Sequence, residues 1–330
     1  MAALFARTSK SLPLIAGATL AGSAAVAYTY SKTTLSGHQL DSAQNAPSKL
    51  LTFPKSMLFP QTLTVTKTEQ INHDTKRITF SLPGGENQIS GVPAGSAILT
   101  QHSPSGRWFP ILRPYTPISD PSQRGSLQLL VKQYPGGAAS THLHNLSVGQ
   151  TLAIRGPLPG GYIYSEPPSS SSPRELIFIA GGAGITPIYS LARSILLQQE
   201  GTGNDRTRIH LVWGVNGARD VVLRSELEDL QRRSSGRLRV TICVSGDREE
   251  DRASLLSSSS SLSSDAMRFR RGYVDEDILG EIVGIAKESG RWGDDKGTKV
   301  WLCGPEAMEK SLVGRGGILA ELGVDKIHKF

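Results

Sequence analysis

The chain has 330 residues, enough for two domains of about 100–200 residues each. Hydrophobic residues make up 38% and charged residues 20%, which excludes a wholly disordered chain. The net charge of +7 would suit a nucleic acid, a membrane or an acidic protein as partner. Two cysteines, Cys243 and Cys303, are too few for a disulfide framework, and no Cys/His spacing indicates a zinc module.

The first 56 residues differ in composition from the rest of the chain. Between Lys10 and Lys32 lie 21 uncharged residues, enough as a helix to cross a bilayer core. With the Arg- and Ser-containing start, this predicts a mitochondrial presequence that runs into a membrane anchor and then a polar tether. A cleaved secretory signal is the alternative, because Ala24 and Ala25 resemble a small-residue cleavage site.

More than half of the net charge lies in this same segment. Residues 1–56 hold five basic side chains and one acidic one, which leaves a net charge of +3 on the remaining chain. No basic stripe interleaved with aromatic residues occurs there, so the sequence does not indicate nucleic-acid binding.

Short β-rich runs follow the tether and are separated by turn residues. Pro-Gly-Gly turns follow the second and the fourth of these runs, which lie at 63–68, 77–82, 97–100, 127–134 and 151–155. Strands at this spacing predict a small antiparallel barrel. Residues 166–173 are rich in Pro and Ser and are predicted to be a linker.

After the linker the pattern changes to an alternation of strands and helices. Continuous apolar runs lie at 176–180, 209–213, 238–244 and 300–303, with helix-like segments at 225–233 and 275–288 between them. This order predicts a doubly wound parallel sheet covered by helices on both faces. The serine-rich stretch 254–264 interrupts the order and is predicted to be a disordered loop.

Arg113-Pro114-Tyr115-Thr116-Pro117-Ile118-Ser119 is the first motif that indicates chemistry. In an extended chain its arginine can fork onto a phosphate while the phenol and the hydroxyl contact a flat ring system. An edge strand with two prolines and a surface arginine would explain the same residues without a ligand.

A glycine-rich turn, Gly181-Gly182-Ala183-Gly184-Ile185-Thr186-Pro187, stands between a predicted buried strand and a predicted helix. We expect Thr186 to be the N-cap and Pro187 the first helical residue, where a missing N–H costs nothing. A free helix N-terminus beside glycines suits a pyrophosphate. A purely structural strand–helix turn is the alternative.

The third motif, Cys303-Gly304-Pro305-Glu306-Ala307-Met308, directly follows the last apolar run. A turn at the carboxyl end of a parallel strand lies where open α/β sheets bind their ligands. A buried cysteine without special reactivity is the alternative interpretation.

In this order, the three motifs resemble those of the ferredoxin-reductase superfamily and, within it, the NADH-cytochrome b5 reductases. The family patterns RxYTxxS, GGxGITP and CGPxxM are matched by RPYTPIS, GGAGITP and CGPEAM. The resemblance extends from about Phe59 to Phe330 and includes Asn72-His73-Asp74-Thr75-Lys76-Arg77. A Gly-Lys-Met-Ser segment common in the family is Gly-Ala-Ala-Ser here, so the lysine is missing.

This resemblance implies a FAD-binding barrel at 57–166, an NAD-binding domain at 174–330, and an anchor with tether at 1–56. It implies Thr116, Thr186 and Cys303 as catalytic residues. The implied cofactor-binding residues at FAD are Arg113, Pro114, Tyr115, Thr116, Val131, Lys132, Tyr134, Gly137, Ser140 and Thr141. Those implied at the nicotinamide nucleotide are Gly182, Gly184, Ile185, Thr186, Pro187, Asp220, Cys303, Gly304, Pro305 and Met308.

Two further groups of residues need an interpretation. An acidic side chain at Asp220 can accept hydrogen bonds from ribose hydroxyls and would repel a 2′-phosphate, which favours NADH over NADPH. His142 and His144 stand two residues apart without a third ligand nearby, so we expect surface or helix-start histidines and no metal site.

The family resemblance implies a membrane-anchored oxidoreductase that passes electrons from NADH through FAD to a haem protein such as cytochrome b5. One alternative is the related fungal-type flavoprotein that assists haem attachment to cytochrome c in the mitochondrial intermembrane space. A membrane-tethered scaffold that has lost turnover is a third possibility, against which the intact motifs argue. We expect a mitochondrial membrane location, with the catalytic domains facing the intermembrane space.

Overall fold

Two six-stranded sheets follow one another along the chain in the computed structural model. The structure describes residues 51–52, 56–158, 174–198, 207–246, 267–289 and 300–330. The predicted anchor, the linker at 166–173 and the serine-rich stretch at 254–264 lie outside these residues. Among the residues described, no helix has both the length and the apolar composition to cross a bilayer.

The first sheet is antiparallel and curls around its own core. Its strand order is β6-β5-β8-β2-β3-β7. The bounds are β2 (Ser56–Gln70), β3 (Thr75–Ser81), β5 (Ile98–His102), β6 (Ile111–Tyr115), β7 (Ser126–Lys132) and β8 (Thr151–Gly156). A short parallel pair, β1 (Leu51–Thr52) and β4 (Gln88–Ile89), and helix α1 (Ala138–Asn145) complete this part.

Alternation of side chains along these strands fills the barrel core. Leu63, Ile78, Ile98, Leu129 and Leu152 come from five different strands and are all nearly inaccessible to solvent. Leu143 on α1 belongs to the same core, so the helix covers one end of the barrel. The predicted antiparallel barrel is confirmed, although β6 was not among the five predicted β-rich runs.

The second sheet is parallel and has the strand order β12-β11-β10-β9-β13-β14. Its strands are β9 (Arg174–Gly181), β10 (Thr207–Val215), β11 (Leu238–Val244), β12 (Arg268–Arg271), β13 (Val300–Cys303) and β14 (Ile327–Lys329). The helices are α2 (Ile185–Gln198), α3 (Arg224–Arg233), α4 (Glu276–Glu288), α5 (Glu306–Val313) and α6 (Ile318–Glu321).

Strand β9 is buried on both faces because helices cover the sheet from both sides. Phe178 faces the core formed with α2 and α3, whereas its neighbours Ile177 and Ile179 face the core formed with α4, α5 and α6. The predicted doubly wound sheet is therefore confirmed. The strand order reverses between β9 and β13: the strands after β9 are added on one side of it and β13 and β14 on the other. Ligands of such sheets bind at the carboxyl ends of the strands on either side of that point.

Candidate functional site

The glycine turn after β9 and the cysteine turn after β13 form one packed unit. Ala180 and Cys303 are paired in the sheet, so both turns leave it side by side. A Cβ on Gly184 would lie 2.1 Å from the carbonyl oxygen of Cys303. A Cβ on Gly181 would lie 2.6 Å from Met308 Sδ and from Pro305 Cδ. Any side chain at these two glycines would therefore push the turns apart.

Gly182 differs from its neighbours because it faces open space. Its φ is +50°, and no atom lies within 4 Å of the position that a Cβ would take. Its carbonyl accepts a hydrogen bond from Trp213 Nε1 at 3.0 Å, which fixes the peptide in place. This is the position where a phosphate group can approach the backbone most closely.

Helix α2 begins two residues earlier than the sequence suggests. It starts at Ile185, so Thr186 is already helical, and the expectation that Thr186 is the N-cap is wrong. The Thr186 hydroxyl donates to the carbonyl of Ala183 at 3.2 Å. Pro187 remains in the first turn, where a missing N–H still costs nothing. The 3-10 turn Gly182–Gly184 leads directly into the helix and shifts its start.

A cavity of about 610 Å³ opens at the carboxyl edge of the parallel sheet. This is within the usual size range of small-molecule sites. The predicted residues on its wall are Lys132, Tyr134, Gly182, Ile185, Thr186, Asp220, Pro305 and Met308. Asn216, Ser245 and Tyr273 also line it, although sequence reasoning did not select them. Asn216 and Ser245 stand directly after β10 and β11, a position that could have identified them.

A second cavity, of about 890 Å³, lies between the barrel and the parallel sheet. The predicted residues on its wall are Arg113, Pro114, Tyr115, Thr116, Lys132, Tyr134, Gly137, Ser140, Gly184, Thr186, Pro187 and Cys303. Arg107, His328 and Phe330 line it as well and were not among the predicted site residues. Most of the predicted residues therefore converge on two adjoining cavities.

Strand β6 presents the first motif to this second cavity. Arg113 is exposed, Tyr115 is half-buried, and Thr116 is buried just beyond the strand end. Burial raises the pKa of the Tyr115 phenol to about 12, with a smaller contribution from Tyr134, so the phenol stays neutral. β6 is an edge strand, as the alternative interpretation proposed, but its arginine and tyrosine line a cavity.

The turn from β7 into α1 is closed by hydrogen bonds of its own. The Ser140 hydroxyl accepts from the backbone N–H of Tyr134 at 3.2 Å and donates to the carbonyl of Gly137 at 3.1 Å. A Cβ on Gly137 would lie 2.5 Å from Ser140 Oγ. The N-terminus of α1 is thereby held at the cavity wall, with its first N–H groups available to an anion.

Three predicted residues are not on the wall of either cavity. Val131 is fully buried in the barrel core, and its carbonyl oxygen lies 2.8 Å from His144 Nε2. Thr141 lines a separate, more open cavity together with a stacked pair of imidazoles, His102 and His142, whose centroids are 3.8 Å apart. Gly304 packs against Gly181 and Met308 instead of facing a cavity. In Val131, strand alternation turns the side chain inward, away from both cavities.

Asp220 lies in an ion-pair network that joins the two sheets. Its carboxylate accepts from the backbone N–H of Gly217 at 2.9 Å and from Lys132 Nζ at 3.3 Å. Lys132 also pairs with Asp74 at 2.7 Å, and His73 lies 3.5 Å from Asp220. Asp220 thus faces the barrel and already has protein partners. Its role in recognising ribose remains a prediction.

This network also bears on metal binding. His73, Asp74 and Asp220 are the one group among the described residues whose ligand atoms converge closely enough for an ion. The ammonium group of Lys132 already contacts both carboxylates. Burial alone would lower the pKa of Lys132, but its bonds to Asp74 and Asp220 outweigh this and raise it. The ammonium group of Lys132 therefore occupies the position that a metal ion would take between these carboxylates.

The Cys303 thiol is a packing group at the second cavity. Burial raises its pKa to about 12, and the charge of Glu309 adds to the effect. A thiol with such a pKa is protonated at neutral pH, so it is a poor nucleophile there.

The two cavities share part of their walls. Leu130, Lys132, Tyr134, Ala183 and Thr186 line both of them. Ligands in the two cavities would therefore be separated only by these shared side chains, or would touch each other in the gaps between them.

Comparison with known proteins identifies the ligands for which these cavities are built. The family model described as "Oxidoreductase FAD-binding domain" matches residues 62–163, and "Oxidoreductase NAD-binding domain" matches residues 178–313. A protein named NADH-cytochrome b5 reductase 2 from Emericella nidulans is 35% identical over 79% of this chain and 75% of its own length. One of the same name from Pyricularia oryzae is 35% identical over 86% and 78%.

The chain belongs to the NADH-cytochrome b5 reductase family. Solved structures agree in fold: the cytochrome b5 reductase domain of Ulva prolifera nitrate reductase gives a TM-score of 0.64 at 24% identity, over 84% of this chain and 99% of that one. The CS-b5R domains of human Ncb5or give 0.60 at 21% identity, over 82% and 69%. This reductase therefore has a FAD-binding domain and an NAD-binding domain.

The residues present fit both cofactors. The cavity beside the barrel offers the exposed Arg113 guanidinium and the N-terminus of α1 for a diphosphate, and Tyr115 for a ring. The cavity at the sheet edge offers the open backbone of Gly182 and the N-terminus of α2. Each cavity thus combines an anion-binding helix end with apolar walls, as a dinucleotide requires.

Proposed function

We propose that this reductase passes electrons from NADH through FAD to a haem protein at a mitochondrial membrane. The observation that carries this proposal is the wall shared by the two cavities, at Tyr134 and Thr186. Bound FAD would accept a hydride from NADH and release the two electrons one at a time. The chain itself has to hold two ring systems in contact and keep them aligned.

Several residues are placed for these tasks. Arg113 and the α1 N-terminus would bind the diphosphate of FAD, and Tyr115 would pack against its ring. Thr116 and Thr186 would orient the facing rings by hydrogen bonds, since both residues line the cavity. The protonated Cys303 would fill space beside the nicotinamide without reacting.

Bound flavin is the first test of this proposal. We expect the purified protein to be yellow, to bleach with NADH, and to reduce ferricyanide. Arg113→Ala should weaken FAD binding by at least about tenfold, because a charge-assisted bond to phosphate contributes about 1.5–3 kcal/mol. Arg124→Ala, at an exposed arginine of the same barrel, is the matched control. Protein that binds FAD but has no NADH turnover would support the scaffold interpretation.

The electron acceptor is proposed from the names of the relatives, which are NADH-cytochrome b5 reductases. The reaction of the reduced protein should be followed with a b5-type cytochrome and, in parallel, with apocytochrome c plus haem. Faster reduction of the b5-type cytochrome supports the proposal. Haem attachment dependent on NADH, without b5 reduction, would instead indicate the role in cytochrome c maturation.

Membrane anchoring and location are proposed from the sequence of residues 1–56. The uncharged stretch between Lys10 and Lys32 is long enough to span a bilayer, and the flanking residues are basic and polar. Protease protection in isolated mitochondria tests this. We expect the catalytic domains to become accessible when the outer membrane is opened, and the protein to stay in the membrane fraction after a high-salt wash.

A further inference from the structure

Large apolar side chains are exposed on two segments of the barrel. Five of the eight exposed large hydrophobic residues in the described part of the chain belong to them: Met57, Leu58, Phe59, Trp108 and Phe109. Trp108 is 98% exposed and Phe109 84%, while Leu58 and Phe59 are 80% and 71% exposed. We refer to these five residues as the apolar rim. Neither cavity uses any of them.

The two segments of the rim are connected through the sheet. Trp108 and Phe109 lie in the loop between β5 and β6. Met57, Leu58 and Phe59 lie at the start of β2, where its register with β8 is interrupted. Arg155 on β8 donates to the carbonyls of Met57 and Leu58 and, through Nε, to Gln101 on β5. The start of β2 is thereby held beside the strand that leads into the loop.

The shape and composition of the rim indicate what it binds. A side chain that is 98% exposed stands at a protruding tip, whereas a partner helix or peptide would require a groove. Tryptophan and phenylalanine next to an arginine, here the exposed Arg107, are typical of segments that enter the interface of a phospholipid bilayer. An isolated exposed aromatic needs no explanation, but this concentration on two linked segments does.

The chain between the proposed membrane anchor and the rim is short enough to keep the rim near the bilayer. The uncharged stretch ends before Lys32, and residues 33–50 join it to β1, which is paired with β4 of the barrel. Fully extended, these residues span at most about 65 Å. The rim therefore lies within reach of the membrane that holds the proposed anchor. A single lipid contact binds weakly, and a second contact on the same chain makes the attachment stable.

We propose that the apolar rim inserts into the headgroup region of the membrane to which the N-terminus is anchored. This rests on the membrane anchoring proposed above. Because Arg107 lines the FAD cavity, contact of the adjacent Trp108 with lipid would hold the mouth of that cavity next to the membrane surface. The orientation of the cofactor site relative to membrane-bound acceptors would then be fixed by the rim.

Brominated phospholipids test this directly, because they quench tryptophan only on contact. The full chain is reconstituted into phosphatidylcholine vesicles with and without bromine at the upper part of the acyl chain. The chain has four tryptophans, of which Trp213 and Trp301 are buried and Trp292 lies outside the described residues, so comparison with Trp108→Phe isolates the contribution of Trp108. We expect wild-type emission to fall in brominated vesicles and the fall to be clearly smaller in the Trp108→Phe variant.

Each outcome of this experiment has one meaning. Equal quenching of wild type and variant, in a chain that stays with the vesicles after a salt wash, overturns insertion of the rim and leaves the anchor intact. A chain that does not stay with the vesicles overturns both. Trp108 emission that changes only when a haem protein is added shows that the rim binds protein, which also contradicts the proposal.

A second variant checks the other half of the rim. In Leu58→Ser with Phe59→Ser, we expect Trp108 quenching to decrease because the rim is held less tightly. Val148→Ser removes an apolar side chain that is 63% exposed elsewhere on the barrel and should leave quenching unchanged. Ferricyanide reduction should be unchanged in all these variants, because neither cavity contains these side chains.

Discussion

The glycine turn after β9 and the glycine turn after β7 both border a cofactor cavity, yet they keep their shape by different means. The first is held by packing: Gly181 and Gly184 touch the turn at Cys303 so closely that no Cβ fits. The second is held by the two hydrogen bonds of Ser140, which close the chain from Tyr134 to Gly137. An added methyl group should therefore displace the backbone of the packed turn. In the hydrogen-bonded turn it should only weaken the hydrogen bonds.

The largest effect is expected at Gly184. Gly184→Ala places a Cβ 2.1 Å from a backbone oxygen, so both turns must move. We expect a loss of about 3 kcal/mol in the free energy of unfolding, at the upper end for overpacking, and little NADH binding. Denaturant unfolding and NADH titration measure the two quantities.

Gly182→Ala is the matched control in the same turn. It has free space but a positive φ, so it should cost only about 1–2 kcal/mol of stability. Its methyl group enters the cavity, so the KM for NADH should rise. Expressed as free energy, this rise should exceed the loss in free energy of unfolding. Equal stability losses in the two variants would contradict the packing explanation.

A smaller effect is expected in the second turn. Gly137→Ala brings a methyl group 2.5 Å from Ser140 Oγ, a side chain that can rotate away at the expense of its hydrogen bonds. The methyl group would also lie 3.0 Å from the carbonyl oxygen of Tyr134, which has to move slightly. We expect FAD to bind about five- to tenfold more weakly, since one lost hydrogen bond costs about 1 kcal/mol. Fluorescence of released FAD measures this. Ser140→Ala should weaken FAD binding to the same extent and leave NADH binding unchanged.

The pH dependence of the contact between the sheets is expected to be weaker still. Burial alone would raise the pKa of Asp74, but hydrogen bonds from Lys132 and Thr75 outweigh it and lower the pKa. Such a carboxylate stabilises the fold above its unfolded pKa of about 3.9, and this contribution disappears as the pH falls through the lower folded value.

Asp74→Asn isolates this contribution. At pH 6 the variant should be less stable by about 1 kcal/mol or less, and the difference from wild type should shrink in acid and vanish once Asp74 is protonated in the folded state. Thermal unfolding across this pH range measures it. A difference that persists in strong acid would show that the charge of Asp74 is not its cause.

The smallest effect concerns the thiol beside the first turn. Because the pKa of Cys303 is raised to about 12, iodoacetamide at neutral pH should modify it far more slowly than a free cysteine in solution. Mass spectrometry of the intact protein follows the modification. Rapid alkylation of Cys303 would mean that its turn opens in solution, which would contradict the tight packing against Gly184.

Features that depend on local sequence were predictable, and those that depend on distant contacts were not. Residues 176–181 form a buried parallel strand because every side chain is apolar or small, and the glycines after it mark the turn. Strand β14 was missed because Ile327–Lys329 is short and half-polar, and pairs only after β13 is in place. The start of α2 was misplaced because a 3-10 turn precedes it.

The ion-pair network shows the same limit within the site. Lys132 and Asp220 are separated by 88 positions, and nothing in either neighbourhood of the sequence indicates that they pair. The sequence predicted both residues as parts of the site. The ribose contact of Asp220 stays a prediction, and its pairing with a lysine of the other sheet is what the sequence did not indicate.

The wall shared by the two cavities has a thermodynamic consequence. Tyr134 and Thr186 contact whatever fills either cavity, so a ligand on one side restricts the conformations that the wall offers on the other. Affinities coupled in this way are reciprocal: whatever FAD does to the binding of NADH, NADH does equally to the binding of FAD. Each cofactor would thus help to set the affinity of the protein for the other.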